Sequence, residues 1–379
     1  STPFYGEMGG QVGDTGERAG PSGRFYVTDT SRSAQDVIVH HGYVSDGVLE
    51  TGDVVEAMVD EQRRLDIARN HTATHLLQLA LREVLGEHVH QRGSLVTPER
   101  LRFDFSHLEA MTRDEIGRAG HIVNEQIRQN LRVYSEELPY NEAIREGATA
   151  LFDEKYGDVV RVVKIGDMVV SAELCGGTHI DYTGAIGFFQ ITGESSVGSG
   201  LRRIEAVTGR SAEEYINRRF FLMERIADSL GTRVSEIENR VAGLSAEGEQ
   251  ERRRSVNLER ELARQVALSL RSQIETINGV NVLAAKVPSY RLEALRELSD
   301  RLREDIKSVI IVLGTIHNDK PLFLAAVTPD LVARGYHAGE IVKQGARVAG
   351  GGGGGKPQFA QAGGKDKGKL DQAMQMVNN

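Results

Sequence analysis

The spacing of apolar residues changes character several times along the chain. Residues 1–60 hold short β-type runs, Arg24–Thr28, Asp36–His40 and Val54–Val59, set apart by Gly, Asp and Ser clusters. Dense glycines between Phe4 and Gly16 suit the tight turns of a small β-barrel; with no G-K-[ST] following, they do not make a nucleotide loop. Leu76, Leu79, Leu81 and Val84 predict a helix over Leu65–Val84, and strands follow at Gly93–Val96 and Leu101–Phe105. A second helix is expected from Thr112, which forms a capping box with Glu115, to about Gln129. Val159–Lys164 and Met168–Leu174 read as a hairpin across Ile165-Gly166-Asp167, with further strands at Ile186–Thr192 and Arg202–Val207.

From residue 211 the β character fades. Apolar residues step by threes and fours from Tyr215 to Leu244 with one larger gap, then by fours from Leu258 to Ile274. This predicts a long coiled-coil-like helical segment, broken near Gly231 and between Gly243 and Gly248. Val282–Val287, Val309–Leu313 and Leu322–Val327 then read as buried strands, with helices from about Tyr290 to Asp305 and around Ala338–Val348. Six consecutive glycines, Gly350 to Gly355, precede a last amphipathic helix. The expected class is α+β: a small β-barrel (1–60), an α+β domain (61–210), a helical linker or hairpin (211–277) and a C-terminal α/β domain (278–379).

A length of 379 residues, with 40% hydrophobic and 26% charged, fits two or three globular domains. No apolar run is long enough to cross a bilayer and no signal peptide opens the chain, so a cytoplasmic protein is expected. The start at Ser1 reads like that of an excised fragment. The net charge of -8 argues against unspecific coating of nucleic acid but leaves room for a local basic groove. Cys175 is the only cysteine, which rules out an internal disulfide framework.

That cysteine belongs to the strongest chemical signal. His71 and His75 are four apart within a predicted helix, so their imidazoles share one face. Cys175 and His179 are four apart in L-C-G-G-T-H, where Gly176 and Gly177 permit a backbone that turns both side chains inward. Three imidazoles and a thiolate suit tetrahedral Zn²⁺. Neither H-E-x-x-H nor the deaminase H-x-E…P-C-x-x-C pattern is present. Four protein ligands are the structural pattern and an open position the catalytic one, and spacing does not choose between them.

The motifs H-T-A-T-H-L-L (His71–Leu77) and C-G-G-T-H (Cys175–His179) resemble the editing domain of alanyl-tRNA synthetases, a pattern shared with AlaX deacylases and threonyl-tRNA synthetase editing domains. T-P-F-Y-G-E-M-G-G-Q-V-G-D-T-G, H-Q-R-G-S-L-V, L-R-F-D-F-S-H and G-L-R-R-I-E-A extend the resemblance. The glycine run with K-P-Q-F-A-Q-A-G-G-K-D resembles the C-Ala domain, itself related to an accessory domain of DHH-type phosphoesterases.

The resemblance implies an aminoacyl-tRNA deacylase that hydrolyses the ester joining serine or glycine to mischarged tRNA(Ala), with Zn²⁺ on His71, His75, Cys175 and His179. It implies Cys175 and Gln91 as catalytic residues, Gln91 lying beside the pocket where its carboxamide would bond the serine hydroxyl or the water. It further implies that Arg202 and Arg203 read the acceptor stem, although a salt bridge to Glu205 explains them equally well. Lys356, Phe359 and Lys365 would contact tRNA. The ATP-using domain of such ligases is not recognisable, so the chain alone is not expected to aminoacylate. A non-catalytic, zinc-stabilised tRNA-binding or oligomerisation module is the alternative, and the helical and C-terminal seams would suit a homodimer.

Overall fold

The structure, a computed structural model, describes residues 2–33, 35, 37–150, 157–288 and 292–378. The chain forms two compact units, Ser1–Ser229 and Leu230–Asn379.

In the first unit, strands β1 (Gly16–Ala19), β2 (Gly23–Arg32), β3 (Ile38–Gly47) and β4 (Glu56–Val59) form a four-stranded antiparallel sheet in the order β3-β2-β1-β4. The expected small β-barrel is not closed: β3 and β4 are the two edges of this open sheet. Asp36, placed at the start of the second strand by the sequence, and Tyr290, placed at the start of a helix, lie outside the described residues.

Helix α1 (Glu61–Leu85) follows, its N-terminus capped by the Asp60 carboxylate accepting from the Arg63 N–H. Every residue from Ile67 to Leu81 except Arg69 and Leu79 is buried, polar ones included, so the helix runs through the unit's interior. Strands β5 (Gln91–Val96), β6 (Leu101–Ser106), β10 (Phe189–Gly198) and β11 (Leu201–Thr208) form a second sheet, ordered β10-β11-β6-β5. Period-two alternation on β6 sends Leu101, Phe103 and Phe105 into one core with Leu76, Leu77 and Leu81 of α1. Helix α2 (Arg113–Arg128) packs on α1 and carries the expected Thr112–Glu115 capping box. A three-stranded sheet, β7 (Val133–Pro139), β8 (Val159–Ile165) and β9 (Ser171–Leu174), brings the end of β9 to α1, with α3 (Tyr140–Arg145) between β7 and β8. The β8–β9 hairpin matches expectation, with Gly166 at φ 88° in its turn. Helix α4 (Gly209–Ser229) ends the unit at the break expected near Gly231, which adopts φ 61°.

In the second unit, α5 (Ile237–Leu270) runs unbroken through Gly243 and Gly248, where an interruption was expected. An isolated glycine in a long exposed helix costs roughly 1 kcal/mol relative to alanine, too little to end it. The main sheet has six strands: β12 (Glu275–Ile277), β13 (Val280–Lys286), β14 (Val309–His317), β15 (Lys320–Val327), β16 (Gly352–Lys356) and β17 (Phe359–Gly363), in the order β12-β13-β14-β15-β17-β16. Only β13 and β14, joined through α6 (Leu292–Asp305), are parallel. Strand β14 is buried on both faces. Val309, Ile311 and Leu313 meet α5 and α6, while Ile310 and Val312 join the core beneath α8 (Ala338–Val348) and α9 (Leu370–Asn378). The short α7 (Pro329–Ala333) links β15 to α8. No helix among the described residues is long and apolar enough to cross a membrane.

Candidate metal centre

Two stretches over ninety residues apart in sequence meet where α1 passes the end of β9. Their ligand atoms, on His71, His75, Cys175 and His179, all lie within 4.8 Å of one another. Cys175 Sγ is 3.3 Å from His71 Nε2 and 3.3 Å from His179 Nε2. The helical i, i+4 spacing stacks the His71 and His75 rings 5.4 Å apart, with 10° between their planes.

Each imidazole is oriented from behind. Gln11 Oε1 accepts from the Thr178 N–H at 2.9 Å and also lies 2.7 Å from His71 Nδ1, so that nitrogen carries the proton. His75 Nδ1 lies 2.5 Å from a Glu173 carboxylate oxygen, which only accepts when ionised. Thr72 donates its hydroxyl hydrogen to the Ala68 carbonyl and so accepts from His179 Nδ1 at 3.1 Å. Each ring thereby turns a protonated Nδ1 to its own partner and its Nε2 inward, the second-layer support that metal-binding histidines use.

The donor chemistry fits zinc. His75 Nε2 is buried and has no hydrogen-bond partner among the described residues. Burial opposes charge on His75, yet Glu173 and Cys175 outweigh it and raise its pKa to about 10. Burial likewise opposes the Cys175 thiolate, but His71, His179 and His75 hold its pKa well below the usual thiol value. Burial lowers His179 to about 3, keeping that ring neutral. The cluster therefore favours a thiolate and a positive charge at its centre, and a divalent cation would supply that charge.

Gly177 is required here for space, since neither it nor Gly176 has a positive φ. A Cβ on Gly177 would lie 2.0 Å from His71 Cε1. Gln11 and Glu173 were not singled out in the sequence. Q-V-G-D has the look of a turn and A-E-L that of an ordinary strand, and only long-range pairing distinguishes them. Of the threonines flanking the ligands, Thr178 accepts from Gln11 Nε2 at 2.9 Å, whereas Thr74 bonds back to the Asn70 carbonyl within its helix.

The remaining candidates lie elsewhere. Gln91 opens β5 and is buried, opposite Phe105. Arg202 forms a two-point pair with Glu194, and Arg203 one with Asp104; Glu205, the partner weighed from sequence, pairs with Arg100 instead. In the second unit Lys356 ends β16 and is exposed, Phe359 opens β17 beneath the Arg296 guanidinium at 5.3 Å, and Lys365 follows β17 and is exposed.

Comparison with known proteins gives this geometry a family. The model for tRNA synthetases class II (A) matches residues 1–63, that for the threonyl and alanyl tRNA synthetase second additional domain residues 160–205, and that for the DHHA1 domain residues 279–379. A C-Ala domain of Aquifex aeolicus alanyl-tRNA synthetase, known from its crystal structure, is 27% identical and covers 27% of this chain and 93% of its own, but its TM-score of 0.26 is too low to bear on the fold. The sequence matches place the chain among class II aminoacyl-tRNA synthetases and their additional domains. Alanine--tRNA ligase of Dehalococcoides mccartyi is 54% identical over 376 residues, and that of Bacillus subtilis strain 168 is 46% identical over 378. The chain belongs to the alanyl-tRNA synthetase family, matching over its whole length while spanning 43% of each of these two relatives.

Proposed function

We propose that this chain is an editing deacylase, hydrolysing the ester that joins serine or glycine to tRNA(Ala), with zinc held by His71, His75, Cys175 and His179. The observation that carries the reading is the set of three inward-facing Nε2 atoms beside one cysteine sulfur, each ring fixed by its own partner. Bound zinc would supply Lewis acidity and a fixed point for orienting the ester. Gln11, Glu173 and Thr72 hold the imidazoles in one tautomer, so the ligand set needs no rearrangement during the reaction. Gln91 is proposed to bond the serine hydroxyl or the attacking water. An alanine-shaped synthetic pocket discriminates poorly against one added hydroxyl, whereas a second site that hydrogen-bonds that hydroxyl can reject alanine by up to ~10⁴-fold.

RNA contacts are proposed at Lys356, Phe359 and Lys365 in the second unit and at Arg202 and Arg203 in the first. The two arginines would have to exchange Glu194 and Asp104 for phosphate or base edges, a trade that charge-assisted bonds allow. The deciding experiment compares release of serine from Ser-tRNA(Ala) with release of alanine from Ala-tRNA(Ala). Serine release with alanine spared is expected, and Cys175→Ala should abolish it while circular dichroism shows a folded chain. A fully active Cys175→Ala chain would sink the assignment. No turnover from folded, zinc-loaded chain that still binds tRNA would leave the non-catalytic module as the better reading.

A further inference from the structure

One cavity of the first unit is lined by none of the four candidate metal ligands. It encloses about 510 Å³ between the C-terminal half of α1, the chain after α3 and the start of β9. That volume falls within the roughly 300–1,000 Å³ of small-ligand pockets. Four carboxylate residues, Glu83, Glu87, Glu146 and Glu173, line it against a single cationic one, Arg82. Three of the four have partners: Glu87 pairs with Arg82, Glu146 lies 3.1 Å from Lys164, and Glu173 holds His75. Lys164 is itself shared with Glu136, and Glu83 has no partner among the described residues, so the cavity keeps an excess of negative charge.

A second feature is independent of that charge. Gln78 lines the same cavity and is only 3% exposed, and its Oε1 has no hydrogen-bond partner among the described residues. A buried acceptor left unpaired is costly, and here the missing donor is left to an occupant of the cavity. The rest of the wall includes the aliphatic side chains of Leu79, Val170 and Ala172. A fitting ligand thus combines positive charge, N–H donors and methylene groups. Hydrated Mg²⁺ keeps most of its water shell and gains nothing from an aliphatic wall. An alkylammonium chain matches every part, since its ammonium groups donate to carboxylate and carboxamide while its methylenes cover apolar surface.

We propose that this cavity binds an aliphatic polyamine, its ammonium groups on Glu83 and Gln78 and its methylene chain along Leu79, Val170 and Ala172. The site goes beyond the deacylase reading and does not rest on it. It meets the candidate metal centre only through Glu173, whose carboxylate also orients His75.

Titration calorimetry of the full chain with spermidine, without RNA and at physiological ionic strength, tests the site. One saturable site with a Kd below about 1 mM is expected. Gln78→Met, which keeps the side-chain length and removes the acceptor, should weaken binding about tenfold, as loss of one hydrogen bond to a charged donor predicts. Its urea midpoint should not fall, because Oε1 loses no partner; a lower midpoint would mark Gln78 as a structural residue and overturn the proposal. Glu83→Gln should weaken binding up to about fivefold, and Glu56→Gln, the same change of charge on exposed β4, by less than about twofold. No saturable site, or an unchanged affinity in Gln78→Met or Glu83→Gln, overturns the proposal. So does an equal loss in Glu56→Gln, which would mean unspecific attraction to a chain of net charge -8. Displacement of spermidine by magnesium chloride at matched ionic strength also overturns it, by making this a metal-ion site. Should Gln78→Met not fold, the contrast between Glu83→Gln and Glu56→Gln decides alone.

Discussion

Gln11 reaches His71 from sixty residues away, and its one amide oxygen faces both the ring nitrogen and the Thr178 N–H. With alanine at this position, His71 could turn or adopt its other tautomer. Gln11→Ala is therefore expected to weaken zinc binding 10- to 100-fold, the usual cost of losing such a partner. Competition with a chromophoric chelator would measure this, and an unchanged affinity would show that Gln11 does not orient the ligand. The four residues that cluster at the candidate centre were legible in the sequence because each pair is local: a helical i, i+4 spacing and a five-residue glycine turn. Their supporting residues were not. The pairing of His75 with Glu173 spans 98 residues and that of Gln11 with Thr178 spans 167, and nothing local marks a glutamine or glutamate as half of such a pair.

Among the elements, helices and buried strands with strong periodicity were read well, and the glycine run shows where periodicity has nothing to act on. Helix α8 has the expected bounds, since its apolar stripe is complete within one helix. Gly352–Lys356 instead forms edge strand β16, paired residue by residue with β17, although a run of glycines carries no side-chain pattern and low strand propensity. What holds it is close fit to the neighbouring strand. A Cβ on Gly353 would lie 2.4 Å from Ala362 Cα, whereas Gly352 and Gly354 face open space. Gly353→Ala is expected to destabilise the second unit by about 1–3 kcal/mol through overpacking, and Gly352→Ala to stay within about 0.5 kcal/mol. Urea denaturation of the two variants side by side would separate them, and equal midpoints would mean that β16 yields to an added methyl. The break expected in α5 failed for a related reason. Isolated glycines mark an interruption only where the chain also needs to turn, as it does at Gly231.

For the whole molecule, the division at Ser229 puts every proposed metal ligand in the first unit and the glycine strand in the second. Under the zinc reading, a chelator should lower the unfolding temperature of the first unit alone. A ligand present at a thousand times its Kd contributes about 4 kcal/mol to the fold that binds it. Calorimetry with and without chelator reads this directly, and an equal shift in both units would argue against a centre confined to the first. The Gln11–Thr178 bond has a further consequence for a chain made from its N-terminus. His71 and His75 leave the ribosome about a hundred residues before Cys175, a gap on the order of 5–20 s at ordinary rates of synthesis. For that interval α1 carries two imidazoles without the thiolate or the carboxylate that complete them. Under the zinc reading, tight capture of the ion is then a late event in biogenesis, one that signals that the first unit has closed around the four candidate ligands.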